Sequence, residues 1–278
     1  MKRLLFAAVL GAIAIASPAL ADGHADEGAH AALAEAVAAK WRDVDRERDQ
    51  YRHPVETIEF FQIEPGMTVV DYAPPPGWYT RILVPYLGTD GTYVAAIRTF
   101  DAASPASQAR QRVFPEVFPR LLREEIEKSS IKNVAKIEGL NTLYIPEETH
   151  GTVDRVLVFR MLHNLHRWGL AHEELSNFRK LLKDDGMLGI VQHRAGTDAP
   201  YSYADGNKGY MRQEDVVKLV EAHGFELVGA SEINANPKDT ADYEGGVWQL
   251  PPVWASKDEA LKEIGESDRM TLLFKKRR

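Results

Sequence analysis

The sequence of 278 residues contains no cysteine. Disulfide bonds and thiolate metal ligands are therefore excluded, and stability must come from packing. The sequence also lacks an apolar run of the roughly 20 residues that a membrane-spanning helix needs. Its net charge is −7, and an acidic surface repels phosphate backbones, so nucleic acid is not an expected partner.

Residues 1–21 have the three parts of an export signal. Lys2 and Arg3 precede an apolar run from Leu4 to about Ala16, and Ala19-Leu20-Ala21 forms a small-residue cleavage site. We therefore predict cleavage after Ala21, a periplasmic location and no stable membrane span in the mature chain. A retained membrane anchor is the alternative, which Pro18 disfavours.

The remainder divides into an alanine-rich linker and N-terminal helix over residues 22–45 and one α/β domain over residues 46–278. Apolar runs typical of buried strands alternate with helical patterns, and there is no internal repeat. This order predicts a doubly wound, mostly parallel sheet. The predicted strands cover residues 67–73, 91–99, 133–140, 154–160, 187–193, 226–232 and 269–275.

Ligands of such a sheet bind beyond the carboxyl ends of the strands. Position alone therefore predicts which residues line the cleft. In order along the first five strands, they are Asp71 to Gly77, Arg98, Glu138, His163-Asn164 and His193-Arg194.

The segment VVDYAPPPGWYT follows this layout with an unusual composition. Asp71 leads through a tight loop into a helix, where backbone N–H groups often meet an anionic or polar ligand. Pro75 and Pro76 remove two of those donors, and they also preset the backbone for entry into a helix. The segment is thus either a ligand-binding loop or a rigid turn that binds nothing.

His163 and His193 are predicted to end neighbouring strands, which run about 5 Å apart, so their imidazoles could meet and act as a general base. His166 adds the alternative of a zinc site with these two histidines, although a fourth, carboxylate partner is missing. Arg160 and Arg194 could orient an anionic ligand, or each could pair with a nearby acid such as Asp154 or Glu266.

Seven blocks of the chain carry a resemblance to a known family. In order, they are RDQYRHPVETIEFF, PGMTVVDYAPPPGWYTRILVPYL, VFRMLHNL, GIVQHRA, SEINANPKDT, EGGVWQLPP and GESDRMTLLFKK. Together they resemble a family of exported class I S-adenosylmethionine-dependent methyltransferases. The resemblance spans about Arg48 to Lys276 and implies a sheet of seven strands, six parallel and one antiparallel at the C-terminal end.

The resemblance also implies roles for individual residues. The loop after the first strand would hold the methionine part of the cofactor, the region of Arg98 would hold the ribose, and Glu138 would contact the adenine. The full set implied to bind cofactor is Asp71, Tyr72, Ala73, Pro74, Gly77, Arg98, Glu138 and Phe159.

The chain departs from the family pattern at three places. Pro75 and Pro76 replace loop glycines, Ile97-Arg98-Thr99 replaces the acid that binds the ribose, and Gln192 stands beside His193 where glutamate is expected. The first two changes bear directly on the affinity for S-adenosylmethionine.

The leading hypothesis is methyl transfer from S-adenosylmethionine to a small-molecule nucleophile. His163 or His193 would remove the proton of the nucleophile, and Asn164 and Arg160 would orient it. The long loop over residues 233–254, with Trp248, would exclude water. The alternatives are a non-catalytic small-molecule binder on the same fold and a hydrolase that uses a histidine-bound metal. The sequence does not determine the methyl acceptor or the oligomeric state.

Overall fold

The computed structural model describes residues 23–74, 77–100 and 103–277. Within them, seven strands form one sheet in the order β3-β2-β1-β4-β5-β7-β6. The strands are β1 Thr68–Tyr72, β2 Thr92–Ile97, β3 Lys136–Asn141, β4 Val153–Phe159, β5 Leu182–His193, β6 Phe225–Ser231 and β7 Arg269–Lys276.

Ten α-helices accompany these strands within the described residues. They are α1 Gly23–Ala38, α2 Asp49–Arg52, α3 Pro54–Phe60, α4 Thr80–Leu87, α5 Pro105–Lys128, α6 Leu162–Arg167, α7 Ala171–Leu181, α8 Tyr201–Ala204, α9 Gln213–Glu221 and α10 Glu259–Ile264. No helix in this part of the chain is both long enough and apolar enough to cross a bilayer.

The predicted fold class is confirmed. β1 pairs in parallel with β2 and β4, and β4 pairs in parallel with β5. β7 lies antiparallel between β5 and β6. Four of the five β1 residues are buried, as expected for a parallel strand covered on both faces.

Successive residues of β1 contribute to two separate hydrophobic cores. Val70 and Tyr72 pack with Phe178 of α7 on one face of the sheet. Val69 packs with Ile82 of α4 on the other face. The alternation of side chains along a strand therefore divides the apolar residues of the chain between two layers of helices.

The helix after β2 contains two prolines, and the strand that follows it begins later than predicted. Pro115 and Pro119 both lie inside α5. This helix packs so tightly on β3 that a Cβ at Gly139 would lie 2.1 Å from the Pro115 carbonyl oxygen. The third strand was expected from Asn133, but Asn133 has a φ of 55° and β3 begins at Lys136.

In the N-terminal segment, Leu33 and Ala36 of α1 are buried in the core that also holds α4. The predicted export signal, residues 1–21, lies outside the described residues.

The long loop between β6 and β7 folds back over the sheet edge. Val247 N–H donates to the Lys208 carbonyl at 2.9 Å. The Asp239 carboxylate accepts from Tyr210 Oη at 3.0 Å and from the Asp268 N–H at 2.8 Å. These hydrogen bonds hold the loop against the segment between β5 and α9.

Candidate functional site

The carboxyl ends of β1, β4 and β5 lie side by side and bring distant residues together. Asp71 in β1 is in register with Leu157 in β4, and Phe159 at the end of β4 is in register with Val191 in β5. We call the polar group at this edge the central site, which consists of Arg52, Asp71, Arg160, His163, His193 and Glu266.

The two predicted histidines meet at this edge. His163 lies in the first turn of α6 and His193 is the last residue of β5. Their ring centroids are 5.5 Å apart, so the expected convergence is observed. The indole of Trp248, from the long loop, lies 6.2 Å from the His163 ring.

Gln192 determines the tautomer of His163. Its Oε1 accepts from the His163 backbone N–H at 3.2 Å, and the same oxygen lies 3.2 Å from His163 Nδ1. Gln192 Nε2 donates to the Gly209 carbonyl at 2.9 Å. Because Oε1 is thus an acceptor, His163 carries its proton on Nδ1 and presents the lone pair of Nε2. A glutamine at this position orients the ring without adding charge.

Burial keeps both imidazoles neutral near pH 7. It lowers the pKa of His163 to about 4. The pKa of His193 lies well below its ordinary value, first because of burial and then because of the charges near it, including that of Arg160. His193 Nδ1 lies 2.6 Å from the hydroxyl of Ser267. Both rings can therefore accept a proton, although burial disfavours the resulting cation.

Glu266 is the shared partner of four arginines. Its carboxylate lies 2.6 Å from Arg48, 2.9 Å from Arg269, 3.2 Å from Arg52 and 3.9 Å from Arg160. Although burial raises the pKa of Glu266, the four guanidinium groups hold it at about 2. The expected pairing of Arg160 with Glu266 is observed.

Asp71 is buried at the end of β1. It accepts a hydrogen bond from Tyr93 Oη at 2.9 Å, and this hydroxyl lies 2.7 Å from Thr80 Oγ1. Burial raises the pKa of Asp71 to about 7, against the smaller effects of Tyr93 and Arg160. Near neutral pH the carboxyl is therefore partly protonated.

The start of the β1–α4 loop adjoins a cavity of only about 30 Å³. Ala73 and Gly77 both have positive φ, and the Gly77 N–H donates to the Pro74 carbonyl at 2.6 Å. Tyr79 and Phe159 line the cavity and stack with centroids 3.6 Å apart. Binding pockets for small molecules measure about 300–1,000 Å³, so this cavity does not hold an adenosine. Pro75 and Pro76 lie outside the described residues.

Four of the residues implied to bind cofactor do not line this cavity: Tyr72, Gly77, Arg98 and Glu138. Tyr72 packs edge-on against Phe178, on the side of the sheet covered by α7. The guanidinium of Arg98 forms ion pairs with Glu173 and Glu174 at the start of α7. It lines a separate cavity of about 600 Å³ beside the loop from Thr142 to His150.

Glu138 was expected after the third strand but lies within it. It pairs with Val94 of β2 in the sheet, and its carboxylate lies 2.5 Å from Lys136 Nζ. The strand continues to Asn141, which places Glu138 three residues short of the edge. The expectation was wrong about position because the strand both begins and ends later than the apolar pattern indicates.

Asn164 bonds to neighbours in its own helical turn. Its Nδ2 contacts Met161 Sδ at 3.4 Å and its Oδ1 accepts from Arg167 Nε at 3.0 Å. His166 Nε2 lies 3.5 Å from Tyr201 Oη. Within the described ranges no three His, Asp or Glu side chains are placed to hold a metal ion, so the histidine-metal hypothesis lacks its ligand set there.

Arg52, Tyr79 and Ser267 were not predicted as parts of the site. Arg52 and Tyr79 belong to the sequence blocks RDQYRHP and PGWYT. Arg52 precedes β1, and Tyr79 lies two residues beyond the predicted range of Asp71 to Gly77, so position after a strand did not identify either residue. Ser267 reaches His193 from the segment before β7, a contact that only the antiparallel pairing of β7 with β5 creates.

No family model matches the chain. No curated protein matches its sequence. Its fold, however, is shared with solved structures that it resembles weakly in sequence.

The 4+2 cyclase SpnF is 12% identical, with a TM-score of 0.53 over 91% of this chain and 94% of the other. A protein of Bacillus halodurans C-125, described as a candidate methyltransferase, is 16% identical, with a TM-score of 0.50 over 82% and 100%. Geranyl diphosphate C-methyltransferase of Streptomyces coelicolor A3(2) is 12% identical, with a TM-score of 0.50 over 88% and 83%. The fold is that of class I methyltransferases.

Proposed function

We propose that the protein is an S-adenosylmethionine-dependent methyltransferase that acts on a small molecule. The observation that carries the proposal is the pair of neutral imidazoles, His163 and His193, 5.5 Å apart at the carboxyl edge of this fold. The Streptomyces enzyme holds S-adenosylhomocysteine, which supports S-adenosylmethionine as the donor.

The described residues fit the methionine part of S-adenosylmethionine better than its nucleoside part. Asp71, Ala73 and Gly77 form a turn suited to its methionine part, and the left-handed backbone of Ala73 and Gly77 supports such a turn. The described residues that directly follow β2 and β3, Arg98 to Phe100 and Thr142 to Ile145, include no acid for the ribose. Asn141 Nδ2 donates there to Thr99 Oγ1 at 2.7 Å. Because the adjoining cavity is small, Tyr79 or Phe159 must move to admit a nucleoside.

The chain would contribute proton transfer and orientation. The donor supplies an electrophilic methyl group, and transfer leaves the electron pair of the broken C–S bond on sulfur. The unprotonated Nε2 of His163 takes the proton of the acceptor hydroxyl or amine, and His193, held by Ser267, is the second candidate base. Arg160 would orient the acceptor, and Trp248, whose ring lies 6.2 Å from that of His163, would exclude water.

A non-catalytic binder on the same fold is the second candidate. The small cavity and the tight Tyr79–Phe159 stack favour it, since neither leaves room for a bulky donor. Such a protein would retain the arginines of the central site and would not transfer a methyl group.

Calorimetry with S-adenosylmethionine distinguishes the two candidates. An enzyme binds the donor and transfers a labelled methyl group to a component of a small-molecule extract. Absence of binding at millimolar donor, persisting in Pro75→Gly and Pro76→Gly variants, would eliminate the methyltransferase and leave the binder. The proposed periplasmic location is independent of this outcome and rests on the sequence of residues 1–21.

A further inference from the structure

The four arginines around Glu266 carry more positive charge than the acid compensates. Glu266 is 4% exposed and is the only carboxylate among the described residues that pairs with Arg52, Arg160 and Arg269. Buried charges are normally paired, because an uncompensated charge is costly away from water. The group is therefore built to receive a further negative charge.

Arg52 has the donors to receive it. This residue is 1% exposed, and its Nε donates to Glu266 at 3.2 Å. Its Nη1 and Nη2 are buried and have no hydrogen-bond partner among the described residues. The centroid of the Trp78 ring lies 4.8 Å from the guanidinium carbon of Arg52. The ring stabilises the cation, but it accepts no hydrogen bond from Nη1 or Nη2.

Arg52 and Arg160 both line the cavity of about 30 Å³ beside Pro74. Arg160 reaches it from a backbone with a φ of 53°, a conformation that is unfavourable for a residue with a long side chain and that concentrates at ligand sites. Burial, followed by the proximity of Arg160, lowers the pKa of Arg52, and a bound anion would reverse this effect.

We propose that Arg52 and Arg160 bind one carboxylate group of a small-molecule ligand in this cavity. The cavity of about 30 Å³ is small, which suits a flat carboxylate better than a bulkier tetrahedral phosphate. A carboxylate also matches the two parallel N–H groups of an arginine. The inference rests on the proposed function only in assuming that this edge binds a small molecule.

Sodium acetate and sodium formate are the probes for this site. Calorimetric titration of the full chain at constant ionic strength should give saturable binding with one site per chain. Arg52→Met should weaken acetate binding at least tenfold, and Arg52→Lys should weaken it less. Arg194→Met is the matched control, since Arg194 already pairs with Asp268 at 2.8 Å and with Glu232, and it should bind acetate like the wild type.

The wild type alone can overturn the inference if neither carboxylate binds saturably, so the test does not depend on the folding of a variant. Equal acetate affinity in Arg52→Met and wild type would also overturn it. So would binding of inorganic phosphate through Arg52 where acetate does not bind.

The methionine part of the donor and the acceptor are two possible sources of the carboxylate. If S-adenosylmethionine displaces acetate and its decarboxylated analogue does not, the donor carries the group. If the donor and acetate bind together, the acceptor carries it. Acetate binding without donor binding keeps this site and eliminates the methyltransferase. If S-adenosylmethionine binds equally well to Arg52→Met and to the wild type, and acetate does not bind, the carboxylate site is eliminated and the methyltransferase is kept.

Discussion

The ring of Tyr79 lies flat on the ring of Phe159, with centroids 3.6 Å apart and planes inclined by 8°. Tyr79 comes from the segment just before α4, and Phe159 ends β4. The stack joins the two elements between which a ligand of this fold would enter. The stacked rings therefore occupy the space between these two elements.

Removal of the Tyr79 ring should therefore open the cleft. Replacing a buried aromatic residue by alanine costs about 3–5 kcal/mol of stability, so Tyr79→Ala should melt at a lower temperature. If the ring has to move before a nucleoside binds, the same variant should bind S-adenosylmethionine more tightly than the wild type, because that movement is no longer needed. Calorimetry and thermal melting measure the two effects.

Tyr72→Ala is the control for this prediction. Tyr72 is equally buried but lies on the opposite face of the sheet, 5.0 Å from Phe178. Its loss should lower stability and leave donor affinity unchanged. Weaker donor binding in Tyr79→Ala would mean that the ring is part of the binding surface.

The order of strands and helices could be predicted from the sequence, because buried parallel strands appear as short apolar runs between turn signals. The edge of the sheet was harder to locate. Glu138 was placed at that edge although β3 runs on for three more residues to Asn141. A close contact between α5 and β3 at Gly139 explains why a glycine stands there.

The histidine pair was predictable because both residues follow strands whose pairing the fold dictates. The arginine group was not. Arg52 lies in a short helix, α2, and Glu266 precedes β7, 214 positions later in the chain. No local pattern connects them, and only the packing of the N-terminal helices on the end of β7 brings them together.

Asp71 should make stability depend on pH. The pKa of its carboxyl group is about 7 in the folded chain, whereas the ordinary value is 3.8. Between these values the folded state binds the proton more tightly than the unfolded state, so the contribution of Asp71 to stability falls as pH rises from about 4 to about 7. Asp71→Asn should remove this pH-dependent loss of stability. Relative to wild type, the variant should gain stability over this range, by on the order of 4 kcal/mol at most.

Urea unfolding at several pH values measures this difference. Asp185→Asn, a change at an exposed position, is the control and should run parallel to the wild type. A constant difference between Asp71→Asn and wild type from pH 5 to pH 8 would show that Asp71 is ionised throughout.

Residues 1–21 predict export, which can be tested on the full-length chain. Expressed in a Gram-negative host, the protein should appear in the periplasmic fraction with Asp22 as its first residue. Ala21→Lys should block cleavage, because the cleavage site requires small residues. A soluble cytoplasmic protein that still begins at Met1 would contradict the prediction.

His163 and His193 should be needed for turnover and not for donor binding. General-base catalysis is worth about 100-fold to 10,000-fold, so His163→Asn or His193→Asn should lower kcat by at least about 100-fold and leave the affinity for S-adenosylmethionine unchanged. His166→Asn is the matched control, because His166 lies one helical turn away and contacts Tyr201. Full activity in both the His163 and the His193 variants would mean that neither imidazole is the base.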